Sequence, residues 1–173
     1  MKSTSTSPAR YNPIAVTLHW LTVLLMFGAV TLVPEEEGGF RSASPIDIHM
    51  VLGVLLALVL IARLIVRFTT KRPAWASAGN KFLDFVGEAT HYGLYFFAFM
   101  ILAGGAAIAM QRNLLGYLLG SGSASGMGES LIGAFHVLGW FFAFLLILLH
   151  VGAALYHQFI LKDNLMKRMW FGK

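Results

Sequence analysis

The sequence predicts an all-α integral membrane protein, an up-down bundle of four helices. Hydrophobic residues make up 57% of the 173 residues and charged residues only 12%, and the mean hydropathy is +0.71, unlike a soluble globular domain. Four apolar runs are each long enough to cross a bilayer. Basic residues concentrate on one side of these runs. We therefore expect residues 1–173 to form one transmembrane domain.

The first two spans carry helix-start signals. The first, residues 14–33, follows Asn12-Pro13, and the second, residues 46–68, opens with Ser44-Pro45-Ile46-Asp47. These runs supply a capping side chain, a first-turn proline and, in the second span, a first-turn acid. The first run is not interpreted as a signal peptide, because no small-residue cleavage site follows it and three more apolar runs do.

The last two spans are less sharply bounded. The third is predicted at residues 88–110 and the fourth at residues 129–161. A stretch rich in Gly and Ser, residues 120–128, lies between them and is typical of a flexible connection.

The distribution of Lys and Arg predicts the orientation. Eleven of the 13 basic residues fall on one side of the four spans, and only Arg41 and Arg112 fall on the other. The eleven are Lys2, Arg10, Arg63, Arg67, Lys71, Arg72, Lys81, Lys162, Lys167, Arg168 and Lys173. Because short basic loops stay inside, both termini are predicted to be cytoplasmic in a bacterial inner membrane. The same topology and anionic lipid explain the pI near 9.8, so nucleic acid is not expected as a partner.

The chain contains no cysteine. This excludes disulfides, iron–sulfur clusters, thiolate catalysis and covalent attachment of c-type haem. Any redox chemistry must therefore use other ligands.

The six histidines carry the strongest functional signal, because ionisable residues inside spans are costly. His136 and His150 are 14 residues apart in the fourth span, about 21 Å along a helix and on nearly the same face. His49 lies near the outer end of the second span, and His19 lies near the inner end of the first. In an up-down bundle His49 pairs with His136 and His19 with His150, which predicts two bis-imidazole sites.

Other interpretations of these histidines are less favoured. A single histidine at a helix end often bonds only a backbone carbonyl or a headgroup, but four at matched depths in three helices are poorly explained in that way. Zinc or copper would require a third and a fourth ligand, which two-histidine sites lack. Haem requires only two axial ligands, so two b haems are predicted.

Several runs in the sequence resemble the bacterial cytochrome b561 family, across nearly the whole chain. They are Thr17-Leu18-His19-Trp20, Ile48-His49-Met50, Phe135-His136-Val137-Leu138, Leu149-His150-Val151-Gly152-Ala153-Ala154-Leu155-Tyr156-His157 and Lys162-Asp163-Asn164-Leu165-Met166-Lys167-Arg168-Met169. The family is also similar to the cytochrome b subunits of formate dehydrogenases and nickel–iron hydrogenases, which are usually longer.

The resemblance implies two b haems, with His19 and His150 as axial ligands of the inner haem and His49 and His136 as ligands of the outer haem. It further implies superoxide:ubiquinone oxidoreductase activity, in which superoxide outside the membrane gives electrons that reach ubiquinone through the two haems. Superoxide, ubiquinone and membrane lipid are thus the expected partners, and no obligate soluble subunit is expected.

A quinone site is predicted on the inner side. His91 at the start of the third span and His157, seven residues after His150, could donate hydrogen bonds and protons to a quinone. The family also uses an inner-side lysine, for which Lys81 is the nearest candidate. Two alternatives stay open: His91 and His157 are only interfacial, or His91 replaces His19 as the partner of His150.

Two arginines lie at the inner end of the second span. Arg63 and Arg67 could bind haem propionates, or their side chains could extend to lipid headgroups. The sequence does not separate these roles.

The predicted outer loop is acidic and opposes an anionic donor. The loop carries Glu35, Glu36 and Glu37, and the only basic residues predicted on that side are Arg41 and Arg112. Superoxide is an anion, so a positive potential would be needed to attract it. One alternative is therefore an electron-relay subunit that anchors a periplasmic dehydrogenase or hydrogenase. Another is a small non-redox membrane protein with structural histidines.

Overall fold

A computed structural model describes residues 10–31, 45–118, 121 and 130–171 of the chain. Within these ranges the α-helices are α1 Pro13–Thr31, α2 Pro45–Thr69, α3 Lys81–Gln111, α4 Leu114–Leu118 and α5 Leu131–Tyr156. A π-helical turn, His157–Leu161, and a 3-10 helix, Leu165–Met169, follow α5. The helices α1, α2, α3 and α5 are long and apolar enough to cross a membrane. The predicted four-helix membrane bundle is therefore confirmed.

The helix starts follow local capping. The first two helices begin at the prolines that the sequence marks. The third begins at Lys81, seven residues before the predicted span 88–110, because Asn80 Oδ1 accepts hydrogen bonds from the N–H groups of Phe82 and Leu83 at 2.8 and 3.4 Å. The charged residues Lys81, Asp84 and Glu88 interrupt the apolar residues in the first turns of this helix, so a prediction based on a continuous apolar run begins later.

Some predicted features lie outside the described residues. These are the acidic run Glu35, Glu36 and Glu37 with Arg41, the capping residue Ser44, Glu129, the end residues Lys2 and Lys173, and most of the connection 120–128.

The bundle consists of two helix pairs that meet along a seam. The first helix packs mainly against α2, and α3 packs mainly against α5, whereas α2 and α3 meet over a much smaller area. At mid-height a cluster of Leu56, Leu60 and Ala98 closes the seam, with Leu25 and Met26 of α1 packed against it. This cluster lies between the two levels at which the histidines occur.

Most large apolar side chains point away from the bundle. Among the described residues only eight hydrophobic residues are buried, whereas side chains such as Leu24, Phe27, Phe68 and Phe96 are mostly exposed. Such a surface is unfavourable in water and suits contact with lipid. The chain is a multi-pass integral membrane protein.

Both described ends of the chain lie at one end of the bundle, which we call the terminal end. There the N–H of Tyr11 donates to the carbonyl of Arg168 at 3.2 Å, and Trp20 Nε1 donates to the carbonyl of Met169 at 2.9 Å. Arg168 Nη1 also donates to the carbonyl of Ala74, in the connection between α2 and α3, at 3.1 Å. The opposite end, where α1 ends and α5 begins, is called the far end.

Candidate functional site

Two histidines face each other at the far end. His49 of α2 and His136 of α5 have ring centres 6.3 Å apart, with their planes at 69°. Each Nδ1 lies 2.8 Å from a backbone carbonyl oxygen, that of Ala29 for His49 and that of Ile101 for His136. Because a carbonyl only accepts, each Nδ1 carries the proton. In each neutral ring the lone pair is therefore on Nε2, the state required of a metal ligand.

The separation of these rings suits one metal ion between them. Two metal–nitrogen bonds of about 2 Å, with each ring centre about 1.2 Å beyond its nitrogen, place two axial imidazoles about 6.4 Å apart. The observed 6.3 Å agrees with this value. The far-end pair therefore fits the axial ligands of a haem iron, by both distance and tautomer.

A glycine pair in α3 receives the ring of His136. A Cβ at Gly105 would lie 3.2 Å from His136 Cε1, and a Cβ at Gly104 would lie 3.4 Å from His136 Cβ. The distance at Gly105 is tight and that at Gly104 is an ordinary van der Waals contact, so it is Gly105 above all that permits the close approach of the ring to α3. Ile101, one turn earlier, supplies the carbonyl that holds the same ring. These three residues were missed by sequence analysis, although a Gly-Gly pair at the depth of a candidate ligand is a usable signal.

The terminal end brings three histidines together. His19 of α1 and His150 of α5 have ring centres 6.2 Å apart at 67°. His91 of α3 lies closer to His150, with ring centres 5.0 Å apart at 88°. The ring of His91 also contacts Trp75 at 5.1 Å, and its Nδ1 donates to the carbonyl of Gly87 at 2.8 Å.

The distances favour His19 over His91 as the partner of His150. The separation of 6.2 Å between His19 and His150 matches the 6.3 Å of the far-end pair, whereas His91 and His150 are only 5.0 Å apart, too close for an ion between two ring nitrogens. His19 and His150 also come from different helix pairs, as His49 and His136 do, whereas His91 and His150 belong to the same pair. Both predicted ligand pairs thus cross the seam. The ligand assignment stays a prediction.

Arg63 holds His19 in a different state from the far-end rings. Arg63 Nη2 lies 3.0 Å from His19 Nδ1, and a guanidinium only donates hydrogen bonds. His19 Nδ1 therefore accepts, so the proton of the neutral ring is on Nε2. Binding of a metal through Nε2 would require the proton to move to Nδ1 and the contact with Arg63 to open.

The second arginine lies among aromatic rings. The guanidinium of Arg67 lies 5.7 Å from the ring centres of Trp75 and Tyr92 and 5.6 Å from that of Tyr95. Its Nη2 is buried with no hydrogen-bond partner among the described residues. Arg63 also lies over Tyr95, at 5.6 Å. Two clustered guanidinium groups with spare donors match the carboxylates of haem propionates.

The residues of the predicted quinone site have different neighbours in the structure. His157 is 7% exposed, and its Nδ1 lies 2.6 Å from Asp163 Oδ2. His91 instead contacts His150 and Trp75. Lys81 is exposed at the first residue of α3. Asp163 was not selected by the sequence analysis, although it lies six residues from His157 in the Lys162-Asp163-Asn164 run.

A cavity of about 330 Å³ opens at the far end. It is lined by Met50, Ala109, Met110, Asn113 and Leu115. Met50 follows His49 directly in α2, so the cavity opens near the level of the far-end pair, although neither histidine lines it. Its lining is mostly apolar.

Comparison with known proteins identifies the family of the chain. The family model of the prokaryotic cytochrome b561 matches residues 10–172. "Cytochrome b561 homolog 2" of Escherichia coli (strain K12) is 26% identical, over 96% of this chain and 94% of its own length. "Probable superoxide oxidase CybB" of Yersinia pestis is 23% identical, over 92% and 95%.

A third relative has a different printed name. "Cytochrome b562" of Cereibacter sphaeroides is 26% identical, over 92% of this chain and 94% of its own length. No solved structure gives a significant match. Since the family model covers nearly the whole chain, the protein belongs to the prokaryotic cytochrome b561 family, whose members bind b haem in the membrane and transfer electrons.

Proposed function

We propose that this protein is a superoxide oxidase that transfers electrons across a bacterial inner membrane from periplasmic superoxide to ubiquinone. The overall reaction converts two superoxide anions, one ubiquinone and two protons into two dioxygen molecules and one ubiquinol. Superoxide is an anion that crosses lipid poorly, whereas ubiquinone dissolves in lipid, so a transmembrane electron path joins substrates that do not meet. The relative named a probable superoxide oxidase supports this donor.

The observation that carries the proposal is the stacking of two seam-crossing histidine pairs. His136 and His150 lie in one helix, 14 residues apart, so the two pairs are about 21 Å apart along the axis. Each would hold one haem b, which when bound supplies a one-electron carrier at that level. The ligands would be His49 and His136 at the far end, and His19 and His150 at the terminal end.

The terminal end is proposed to face the cytoplasm and to carry the quinone site. The basic residues Lys71, Arg72, Lys162, Lys167 and Arg168 all lie there, which matches the retention of positive loops inside. Arg63 and Arg67 would neutralise haem propionates at this end. His157, His91 and Lys81 are the proposed donors to quinone oxygens, with His157 the buried imidazole next to a carboxylate.

The cofactor content is the first test. We expect purified, haem-supplemented protein to show a b-type spectrum and two haems per chain in a pyridine haemochrome assay. Less than one haem per chain would refute the proposal and would favour a non-redox membrane protein.

The donor and the acceptor require a separate test on the loaded protein. Superoxide is supplied in pulses, and ubiquinone reduction and dioxygen release are followed together. The expected rate exceeds spontaneous dismutation and disappears in the His136→Ala variant. A rate no faster than dismutation, with both haems present, would overturn the assignment of superoxide as donor.

A second function is favoured by one feature of the sequence. The acidic run Glu35, Glu36 and Glu37 is predicted on the far-end side, and its charge would repel superoxide but suit a basic patch on a protein donor. The chain would then be an electron-relay subunit for a periplasmic dehydrogenase or hydrogenase. Co-purification with a large redox partner, together with slow reaction with superoxide, would support this function.

A further inference from the structure

A buried imidazole and an exposed carboxylate meet where α5 ends. His157 is 7% exposed, whereas Asp163 is exposed, and His157 Nδ1 lies 2.6 Å from Asp163 Oδ2. The contact joins a ring inside the bundle to a group at its aqueous surface. We propose that Asp163 is a positioning residue for proton delivery, which orients the ring of His157 as proton donor to ubiquinone. This inference rests on the quinone reduction proposed above.

The local backbone is built to bring Asp163 back to His157. The helix ends in a π-helical turn, and the residues on either side of Asp163, Lys162 and Asn164, have positive φ values of 56° and 59°. These left-handed residues reverse the chain, so that the N–H of Asp163 reaches the carbonyl of His157 at 3.3 Å. Non-glycine residues adopt this conformation uncommonly. Two such residues within three positions indicate that the chain reversal, and with it the contact of the carboxylate with His157, is a specific feature of this fold.

The carboxylate has two separate tasks. Asp163 Oδ1 accepts the N–H of Leu165 at 2.9 Å and starts the 3-10 helix, while Oδ2 accepts from His157. Desolvation acts to raise the pKa of Asp163, but the hydrogen bonds from His157 and Leu165 outweigh it and hold the pKa below its usual value. The group is thus ionised at neutral pH and provides a fixed negative charge at the imidazole.

Three further groups interact with the pair. Asp84 of α3 interacts electrostatically with His157, Arg168 of the 3-10 helix interacts with Asp163, and the ring of Tyr156 contacts His157 edge-on. The imidazole therefore has one bonded carboxylate, Asp163, and a second carboxylate, Asp84, in its surroundings.

The chemistry follows from the two ring nitrogens. With Nδ1–H bound to Asp163, the other nitrogen, Nε2, is the one available to a quinone oxygen. The imidazolium gives its Nε2 proton to that oxygen as electrons arrive, and the neutral ring keeps its Nδ1–H bond to Asp163. The ring then regains a proton from the adjacent aqueous face. Ubiquinol formation consumes two protons and two electrons, and the electrons come from the donor at the far end.

The test uses the full, haem-loaded chain in detergent with both haems reduced. A short-chain ubiquinone is added, and haem oxidation is recorded from acidic to alkaline pH. Asp163→Asn keeps the acceptor for Leu165 but removes the charge. We expect it to retain full haem content, to lower the maximal rate near neutral pH roughly tenfold with little change in KM, and to shift the alkaline limb of the profile about one unit to lower pH.

Two further variants separate charge from structure. Asp163→Glu restores the charge and should recover most of the wild-type profile. Glu88→Gln removes one negative charge from another part of α3 and should leave the profile unchanged. The role of Asp163 would be overturned if Asp163→Asn, with full haem content, kept the wild-type pH profile. It would also be overturned if Asp163→Glu, with full haem content, failed to recover that profile. Neither result would affect the proposed quinone function. Wild-type haems that ubiquinone does not oxidise would overturn the quinone function, and this inference with it.

Discussion

The two histidine levels of the bundle are oriented in different ways. At the far end, His49 and His136 are both fixed by backbone carbonyls, with Nε2 free to bind a metal. At the terminal end, His19 is held by a guanidinium in the opposite tautomer, and His150 contacts two other imidazoles. Backbone groups do not change with side-chain substitution, whereas the terminal-end network depends on charge. The two rings at the far end are thus already oriented to bind a metal, whereas the orientation of the rings at the terminal end depends on neighbouring charged side chains.

The largest effect is expected from removal of the ligands themselves. His136→Ala should lose one haem of the proposed two, because the remaining His49 leaves an iron with one axial ligand. His91→Ala is the matched control at the terminal end and should keep both haems. The haem content of purified variants measures this difference. Loss of a haem in His91→Ala, with none lost in His19→Ala, would instead make His91 the partner of His150.

A substitution at the glycine that contacts the ring of His136 should have a smaller effect, which is confined to haem binding at the far end. Gly105→Ala places a Cβ 3.2 Å from His136 Cε1, so the ring must tilt away from its carbonyl partner. Disturbing a group that orients a ligand weakens metal retention by about tenfold or more. Transfer of haem to excess apomyoglobin measures this rate. Gly87→Ala, in the same helix with open space around its Cβ, should release haem as slowly as the wild type.

At the terminal end, charge is expected to tune the haem. Arg63→Gln removes a cation beside His19, which favours the oxidised, more positive form of a bound haem. The midpoint potential of one haem should fall by tens of millivolts, where about 59 mV corresponds to a tenfold change for one electron. Arg63→Lys should shift it less. A redox titration in which both midpoint potentials are unchanged, or in which only that of the far-end haem shifts, would contradict the proposed dependence of the terminal end on charge.

The smallest expected effect is that of low pH on the docking of the C-terminal segment. The pKa of Asp163 lies below its usual value in the folded protein, so its contribution to docking of the C-terminal segment is complete above the unfolded pKa of about 3.9. That contribution is lost as pH falls through the lowered value. Fluorescence of Trp170, which packs edge-on against Trp20, should report the release. Asp163→Asn should remove this acid transition, and a transition that persists in the variant must have another origin.

The depth of each histidine was predictable, but its rotation about the helix axis was not. Helix geometry fixes the 21 Å between His136 and His150, and connectivity fixes which ends of the helices are level. Apolar side chains surround these helices on all sides, so no hydrophobic stripe shows which way a given residue faces. The sequence accordingly left two placements open for His91, at the quinone site with His157 or as the partner of His150, and in the structure its ring contacts His150.

Contacts made through the backbone were equally hidden. The carbonyls of Ala29 and Ile101 orient both far-end rings, yet a carbonyl has no sequence signature. Gly105 has one, but its meaning depends on the position of α5. The predicted acidic loop lies outside the described residues, so its effect on the donor stays a prediction.

The seam between the helix pairs bears on how the protein is made. Each helical pair can enter the membrane as a separate hairpin, but neither contains a complete predicted ligand set, because each set takes one histidine from α1 or α2 and one from α5. Among the described residues, the hairpins are joined by the cluster at mid-height and by hydrogen bonds at the terminal end such as that from Trp20 Nε1 to the carbonyl of Met169, and few other buried side chains lie between them. Cofactor insertion would therefore act as the final step of biogenesis, and haem shortage would leave unjoined hairpins exposed to membrane proteases.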